Sequence, residues 1–157
     1  MSRAFTREDD FVEDILDRPI SPHPNFVTER GLAQIETELQ AAQHAFGQAQ
    51  ASGDRHALAK ASRKLRYWNA RRATAQKVAP DAAPDTVIFG STVTIERDDG
   101  RSQTYQIVGE DEADPSCGSI SYVSPLAKAL LGKTVGEVVH AGTREVEIVS
   151  IRGGAPP

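Results

Sequence analysis

Asp54 stands alone among cations. The stretch 54–77 holds it against Arg55, Lys60, Arg63, Lys64, Arg66, Arg71, Arg72 and Lys77, a local charge of +7. A carboxylate between Gly53 and Arg55 has two uses. It can cap a helix that starts at Arg55, a contribution of about 1 kcal/mol, or it can reach into another molecule. Lys60, Arg63, Lys64 and Arg71 recur at near-helical spacing and form a basic face able to track phosphates. Elsewhere the chain is acidic: residues 1–27 sum to −3, 28–53 to −2 and 78–157 to −6, for the net −4. Such asymmetry concerns partners, because like charges on one element repel unless something anionic lies near. Pairing of the acidic first segment with the basic second one is the simplest way to meet that need. An acidic remainder argues against free-standing nucleic-acid binding and suits a face used inside a larger complex.

Other chemistry is excluded by spacing. His23, His44, His56 and His140 are scattered, and Cys117 is far from any helical histidine pair, so no zinc pattern exists. There is no P-loop and no dinucleotide glycine fingerprint. Nothing nominates a nucleophile with a base and an orienting acid. Cys117 lies in an acidic Gly-Pro loop, where carboxylates disfavour the thiolate. A lone cysteine forms no internal disulfide and suits a reducing cytoplasm. No apolar run nears the roughly 20 residues that span a bilayer, and neither end carries a secretory signal.

The elements that must position these residues follow from periodicity. Residues 1–26 read as an arm, extended or disordered, since Pro19, Pro22 and Pro24 forbid a long helix; Phe11, Val12, Ile15 and Leu16 allow one short amphipathic turn. From Thr28, an N-cap residue, Leu32, Ile35, Leu39, Ala42, Phe46 and Ala49 recur at spacings of 3 and 4, a heptad seam. Ser52-Gly53-Asp54 supplies a stop and a restart. Leu58, Ala61, Leu65, Trp68, Arg72 and Ala75 continue the period. Two matching runs joined by so short a turn predict an antiparallel helical hairpin over 27–78, with Trp68 as anchor against Leu32 or Ile35. Its seam satisfies itself, which predicts a monomer.

Residues 79–86, with Pro80 and Pro84, read as a linker. Beyond it the period falls to 2 over 87–153. Strands are expected at 87–89, 91–96, 103–108 and 119–123, and a last hairpin at 135–140 and 144–151 around Gly142. Ser124 caps a short helix over 125–131, with Pro125 at its first position. The fold class is therefore α+β: a coiled-coil hairpin followed by a small antiparallel β domain with one short helix.

The stretch Ile120-Ser-Tyr-Val-Ser-Pro-Leu-Ala-Lys-Ala-Leu-Leu-Gly-Lys-Thr-Val-Gly-Glu137 resembles the bacterial Gre transcript-cleavage factors, the GreA/GreB family. Val87–Ile95, Tyr105–Glu112 and Thr28-Glu-Arg-Gly-Leu32 extend the likeness, which spans about residues 27–152. The resemblance implies an FKBP-like C-terminal domain that docks on bacterial RNA polymerase through Ser124, Pro125 and Leu126. It also implies a coiled coil that enters the secondary channel, where the basic face of Lys60, Arg63, Lys64 and Arg71 would meet nascent RNA or DNA inside the complex. No cofactor of its own is implied, only the magnesium of the polymerase active site. Such a protein is not itself an enzyme; at most it stimulates RNA cleavage by the polymerase, a metal-assisted hydrolysis. The family's acidic tip follows Gly-Asp-x-x-Glu-Asn-Ala. Here Gly53-Asp54-Arg55 matches its start, so the resemblance makes Asp54 the magnesium-directed carboxylate of the tip, but Ala57 and Leu58 stand where Glu and Asn would, and Lys60 occupies the next acidic position. The family's docking segment has an acidic residue before Ser-Pro, and here it is Val123. Each arm, about 24 residues or roughly 36 Å, is some two turns shorter than is usual for the family. The expectation is therefore a polymerase-binding elongation factor with weak or no stimulation of cleavage. Two alternatives from other classes stand beside it: a nucleic-acid binder using the basic helix, and a prolyl isomerase needing a pocket lined by Phe89, Tyr105 and Tyr122.

Overall fold

The computed structural model describes residues 17–156, so the turn expected at Phe11–Leu16 lies outside the described residues. Two compact units result. Among the described residues, one comprises residues 17–22 and 33–74, and the other comprises residues 23–32 and 75–156.

The first unit is built on helices α1 (Glu29–Ser52) and α2 (Arg55–Thr74). The N–H of Gly31 donates to Thr28 Oγ1 at 3.0 Å, so Thr28 caps α1 as its position predicts. Between the helices Gly53 adopts φ +71°, the left-handed conformation that closes a helix at little cost without a Cβ. The α1 seam is as read from the sequence. Leu32, Ile35, Leu39, Ala42, Phe46 and Ala49 are buried or half-buried, and every other residue from Ala33 to Ser52 is exposed.

In α2 the seam holds through Leu58, Ala61, Leu65 and Trp68 and then departs from expectation. Arg72 is exposed and pairs with Glu36 at 3.2 Å, while Arg71 is only 2 % exposed. Two consecutive arginines offer no apolar side chain to decide which one faces inward, so periodicity alone chose wrongly. Tyr67 is also buried. The Arg18 guanidinium covers it, 3.8 Å above the ring centroid, and Asp17 pairs with Arg66 at 2.5 Å.

The second unit contains a two-residue parallel ladder, β1 (Phe26–Val27) with β2 (Gln76–Lys77), and a five-stranded sheet. The sheet comprises β3 (Thr92–Arg97), β4 (Ser102–Val108), β5 (Ser119–Ser121), β6 (Val138–Ala141) and β7 (Arg144–Arg152), in the order β5-β4-β3-β7-β6. It is mixed rather than wholly antiparallel, because β4 and β5 run parallel. The loop from Gly109, with a short 3₁₀ turn at Pro115–Cys117, carries the chain back far enough for a parallel return. Residues 87–89 form no strand. Ser91 ties them into a turn, its hydroxyl donating to Ile88 O at 2.7 Å and accepting from Ile88 N at 3.2 Å.

Helix α3 (Pro125–Leu130) places Ala127 and Leu130 in the core with Val93, Ile95, Ile107 and Ile148, all with no measurable exposure. The expected linker is part of this unit: Pro80 lies against Gly90, and the Asp81 and Ala82 carbonyls press on Gly153. Residues 23–27 belong here too. Tyr122 Oη donates to the Pro24 carbonyl, and Phe26 packs 6.0 Å from Phe89 and 5.5 Å from Tyr122 between ring centroids.

Candidate functional site

Three places hold the residues singled out from the sequence. At the corner before α3, Ser124 has extended geometry (φ −65°, ψ 152°), and its Oγ accepts from Ala127 N at 3.3 Å. Val123 N donates to Ser121 Oγ at 3.2 Å and Ser124 N to Ser121 O at 3.0 Å, which fixes the approach to the helix. Pro125 is exposed at the first helical position, and Leu126 is half-buried against the core. The corner thus presents a solvent-facing proline on a capped turn, with no acid–base group of its own. Past α3, Val135 and Val138 are each 56 % exposed, and a shallow depression is lined by Lys128, Lys133, Val138 and His140. Glu137, which also lines it, accepts from Thr134 N at 2.6 Å and Thr134 Oγ1 at 3.1 Å, and the Thr134 backbone N–H holds its carboxyl below the usual range.

At the hairpin tip Asp54 is exposed. Its Oδ1 accepts from Ala57 N at 3.2 Å, and its carbonyl accepts from Leu58 N at 2.9 Å. It is therefore a helix cap in geometry. Among the described residues no group of three or more His, Cys, Asp or Glu side chains is arranged to hold a metal ion.

On α2, Lys60, Arg63 and Lys64 line an open groove of about 390 Å³ with Glu38, Tyr67, Trp68 and Arg18. Trp68 meets Tyr67 edge-on, with centroids 4.9 Å apart. Buried Arg71 does not line this groove, which corrects its placement on the exposed basic face. Arg18 and Tyr67 were not found by reading the sequence. The only available signal was a tyrosine one turn beyond Lys64 on a helix otherwise rich in cations.

The remaining candidates are set apart from these. Cys117 is exposed; the Ser116 hydroxyl and the Cys117 thiol donate to Asp114 and hold its carboxyl below the ordinary value. The aromatic residues that a prolyl isomerase would need are not gathered around a vacant pocket, because Phe26 packs against both Phe89 and Tyr122. Tyr105 packs against the sheet core.

Comparison with known proteins gives a consistent result. The family model described as transcription elongation factor, GreA/GreB, C-term, matches residues 81–153. The transcription elongation factor GreA of Desulfovibrio desulfuricans is 38 % identical over 153 residues, covering 86 % of this chain and 94 % of that protein. The GreB of Neisseria meningitidis serogroup B is 42 % identical over 95 residues, 57 % of this chain and 58 % of that one. Among solved structures, GreA factor homolog 1 of Thermus thermophilus superposes with a TM-score of 0.41 at 24 % identity, over 83 % of this chain and all of that one. The sequence relatives carry the assignment.

Proposed function

Since this chain belongs to the GreA/GreB family of transcription elongation factors, we propose that it acts on bacterial RNA polymerase in the cytoplasm as a channel-occupying regulator with little or no stimulation of transcript cleavage. It docks through the corner formed by Ser124, Pro125 and Leu126, and the hairpin enters the secondary channel. Lys60, Arg63 and Lys64 then face phosphates of nascent RNA or DNA.

The observation that carries this reading is the tip. Asp54 is the sole acidic residue from Leu39 to Pro80, and one of its oxygens is engaged in capping α2. Holding a second catalytic magnesium calls for several hard oxygen ligands. A single exposed carboxylate followed by Arg55 and Lys60 supplies too few and surrounds them with the wrong charge. The α2 length of 20 residues, about 30 Å at 1.5 Å per residue, adds a shorter reach.

The test is a backtracked elongation complex of purified RNA polymerase, with and without the protein, reading both complex formation and RNA cleavage. Binding without cleavage is expected, together with competition against a cleavage-active factor for the same complex. Strong cleavage that disappears in Asp54→Ala would refute the reading of the tip. Absence of binding would refute the docking reading.

A further inference from the structure

We propose that the free edge of β6 takes an extended acidic segment of a partner protein by strand addition, in the depression between that edge and α3. The proposal depends neither on the docking corner at Ser124 nor on the phosphate-facing reading of α2.

The backbone sets the geometry. β6 ends the sheet order, and among the described residues no segment pairs with its far side. Its register with β7 decides which groups face outward. Ile148 N donates to Glu137 O at 3.0 Å, so these two form a hydrogen-bonded pair. Antiparallel alternation makes Val139 with Val146 and Ala141 with Arg144 the next such pairs. The N–H and C=O groups of Val138 and His140 therefore point away from β7, a row of donors and acceptors that templates a further strand. The opposite edge of the sheet is treated differently. There Ser119 of β5 exchanges backbone hydrogen bonds with Asp114 at 3.0 and 3.1 Å, so the chain covers its own edge at that point.

Side chains then select the occupant. Lysines that guard an edge sit in the edge strand itself. β6 holds Val138, Val139, His140 and Ala141, and the cations stand outside it, Lys128 on α3 and Lys133 in the turn that follows. Both line the depression and flank an incoming strand rather than block it. Glu137 is the one carboxylate among the described lining residues, and Thr134 engages it. Val135 and Val138 add exposed apolar surface. A segment with carboxylates for the two lysines and apolar side chains for the two valines answers both features, with main-chain bonds supplying the affinity. A second copy of this chain would set Lys128 and Lys133 against the same pair, and facing like charges destabilise a pairing. A nucleic acid would meet Glu137 beside β6, and Glu145 and Glu147 across from His140 and Val138.

The probe is a capped octapeptide, Thr-Val-Glu-Val-Asp-Val-Glu-Thr, with a control in which lysine replaces each acid. Each is titrated into the full-length ¹⁵N-labelled protein, reading amide shifts and hydrogen exchange. The Val138 and His140 signals should shift to saturation with the acidic peptide and exchange about tenfold more slowly, and the lysine peptide should leave them unchanged. Lys128→Gln with Lys133→Gln should weaken binding about tenfold. Val138→Pro keeps both lysines and removes one outward N–H, at an edge position where proline is tolerated; its remaining amide spectrum should match the wild type while binding is lost. No response at Val138 and His140 at millimolar acidic peptide would overturn the proposal. So would equal binding of the lysine peptide, or undiminished binding by Val138→Pro. Exchange that slows with protein concentration alone would assign the edge to a second copy, and a response there to a single-stranded RNA dodecamer but not to the peptide would assign it to nucleic acid. Either result overturns the acidic-segment assignment.

Discussion

Replacing Asp54 tests how the tip is built, and two substitutions separate its two contributions. In Asp54→Ala the Ala57 N–H loses the acceptor now 3.2 Å away. The site is exposed, so water replaces part of the lost bond, and the cost falls near the middle of the capping range, about 1 kcal/mol. Asp54→Asn keeps an oxygen at the same place and loses only the negative charge at the α2 N-terminus, worth about 0.3–0.5 kcal/mol at an exposed helix end. That charge matters more than usual because the first turn of α2 contains no other acid and begins with Arg55. The measurement is urea unfolding followed by Trp68 fluorescence on α2, at low salt and again in 1 M salt. The expected order is wild type, then Asn, then Ala. High salt should nearly close the gap between Asp and Asn and leave the gap between Asn and Ala, since screening removes field effects and spares a short hydrogen bond. In thermal terms the Ala variant should melt about 2–4 °C lower. An Ala variant as stable as wild type would refute the capping argument, and an Asn variant as damaged as Ala would show that charge, rather than the hydrogen bond, is what matters there.

Other substitutions probe the globular unit. A Cβ on Gly109 would collide with the Phe26 carbonyl, so Gly109→Ala should cost about 1–3 kcal/mol and loosen the β1/β2 ladder. Faster hydrogen exchange at the Gln76 and Val78 amides, which now donate to Asn25 O and Val27 O at 2.9 Å, would show it. Ile148→Ala, at a position with no exposure between β3 and β6, should cost about 2–5 kcal/mol in denaturant unfolding. The Glu137 carboxyl is held below its ordinary value of 4.5 in the folded state, so its contribution is present above that pH and lost as pH falls through the folded value. A carboxyl titration by NMR should find its midpoint under 4.5, and Glu137→Gln should reduce the loss of stability on the acid side; a midpoint at 4.5 or above would contradict the Thr134 hydrogen bonds.

The helices were legible in detail because their signals are local. Thr28, Gly53 and Asp54 announce the ends of α1 and α2 through one-residue capping chemistry, and the α1 seam is fixed by six side chains of low polarity. Ser124 and Pro125 announced α3 for the same reason. What escaped was set by contacts remote in sequence. The direction of β5 depends on a ten-residue loop whose composition is compatible with either return. The ladder between Phe26 and Gln76 joins segments about fifty residues apart, each only two residues long and without alternation to betray a strand. Arg71 and Arg72 are indistinguishable by type, and the site geometry around Tyr67 hinges on Arg18, in an arm whose prolines read as a break rather than as an attachment. Of the candidate site residues, Asp54, Ser124 and Pro125 have capping roles that the sequence announces, Ser124, Pro125 and Leu126 became docking candidates through the family resemblance, and the groove needed tertiary structure to be seen at all.

The β1/β2 ladder makes residues 28–75 a closed excursion: the chain departs just after Val27 and returns at Gln76, and the two points are hydrogen-bonded neighbours. Whatever lies between can lengthen or shorten by matched heptads without altering the residues on either side. Seven residues added to each arm would move the tip by about 10 Å. Hairpin length and the fold of the base are therefore separable traits in this architecture. Insertion and deletion alone can tune the one while sparing the other, and an engineer can graft hairpins of graded length onto one unchanged base.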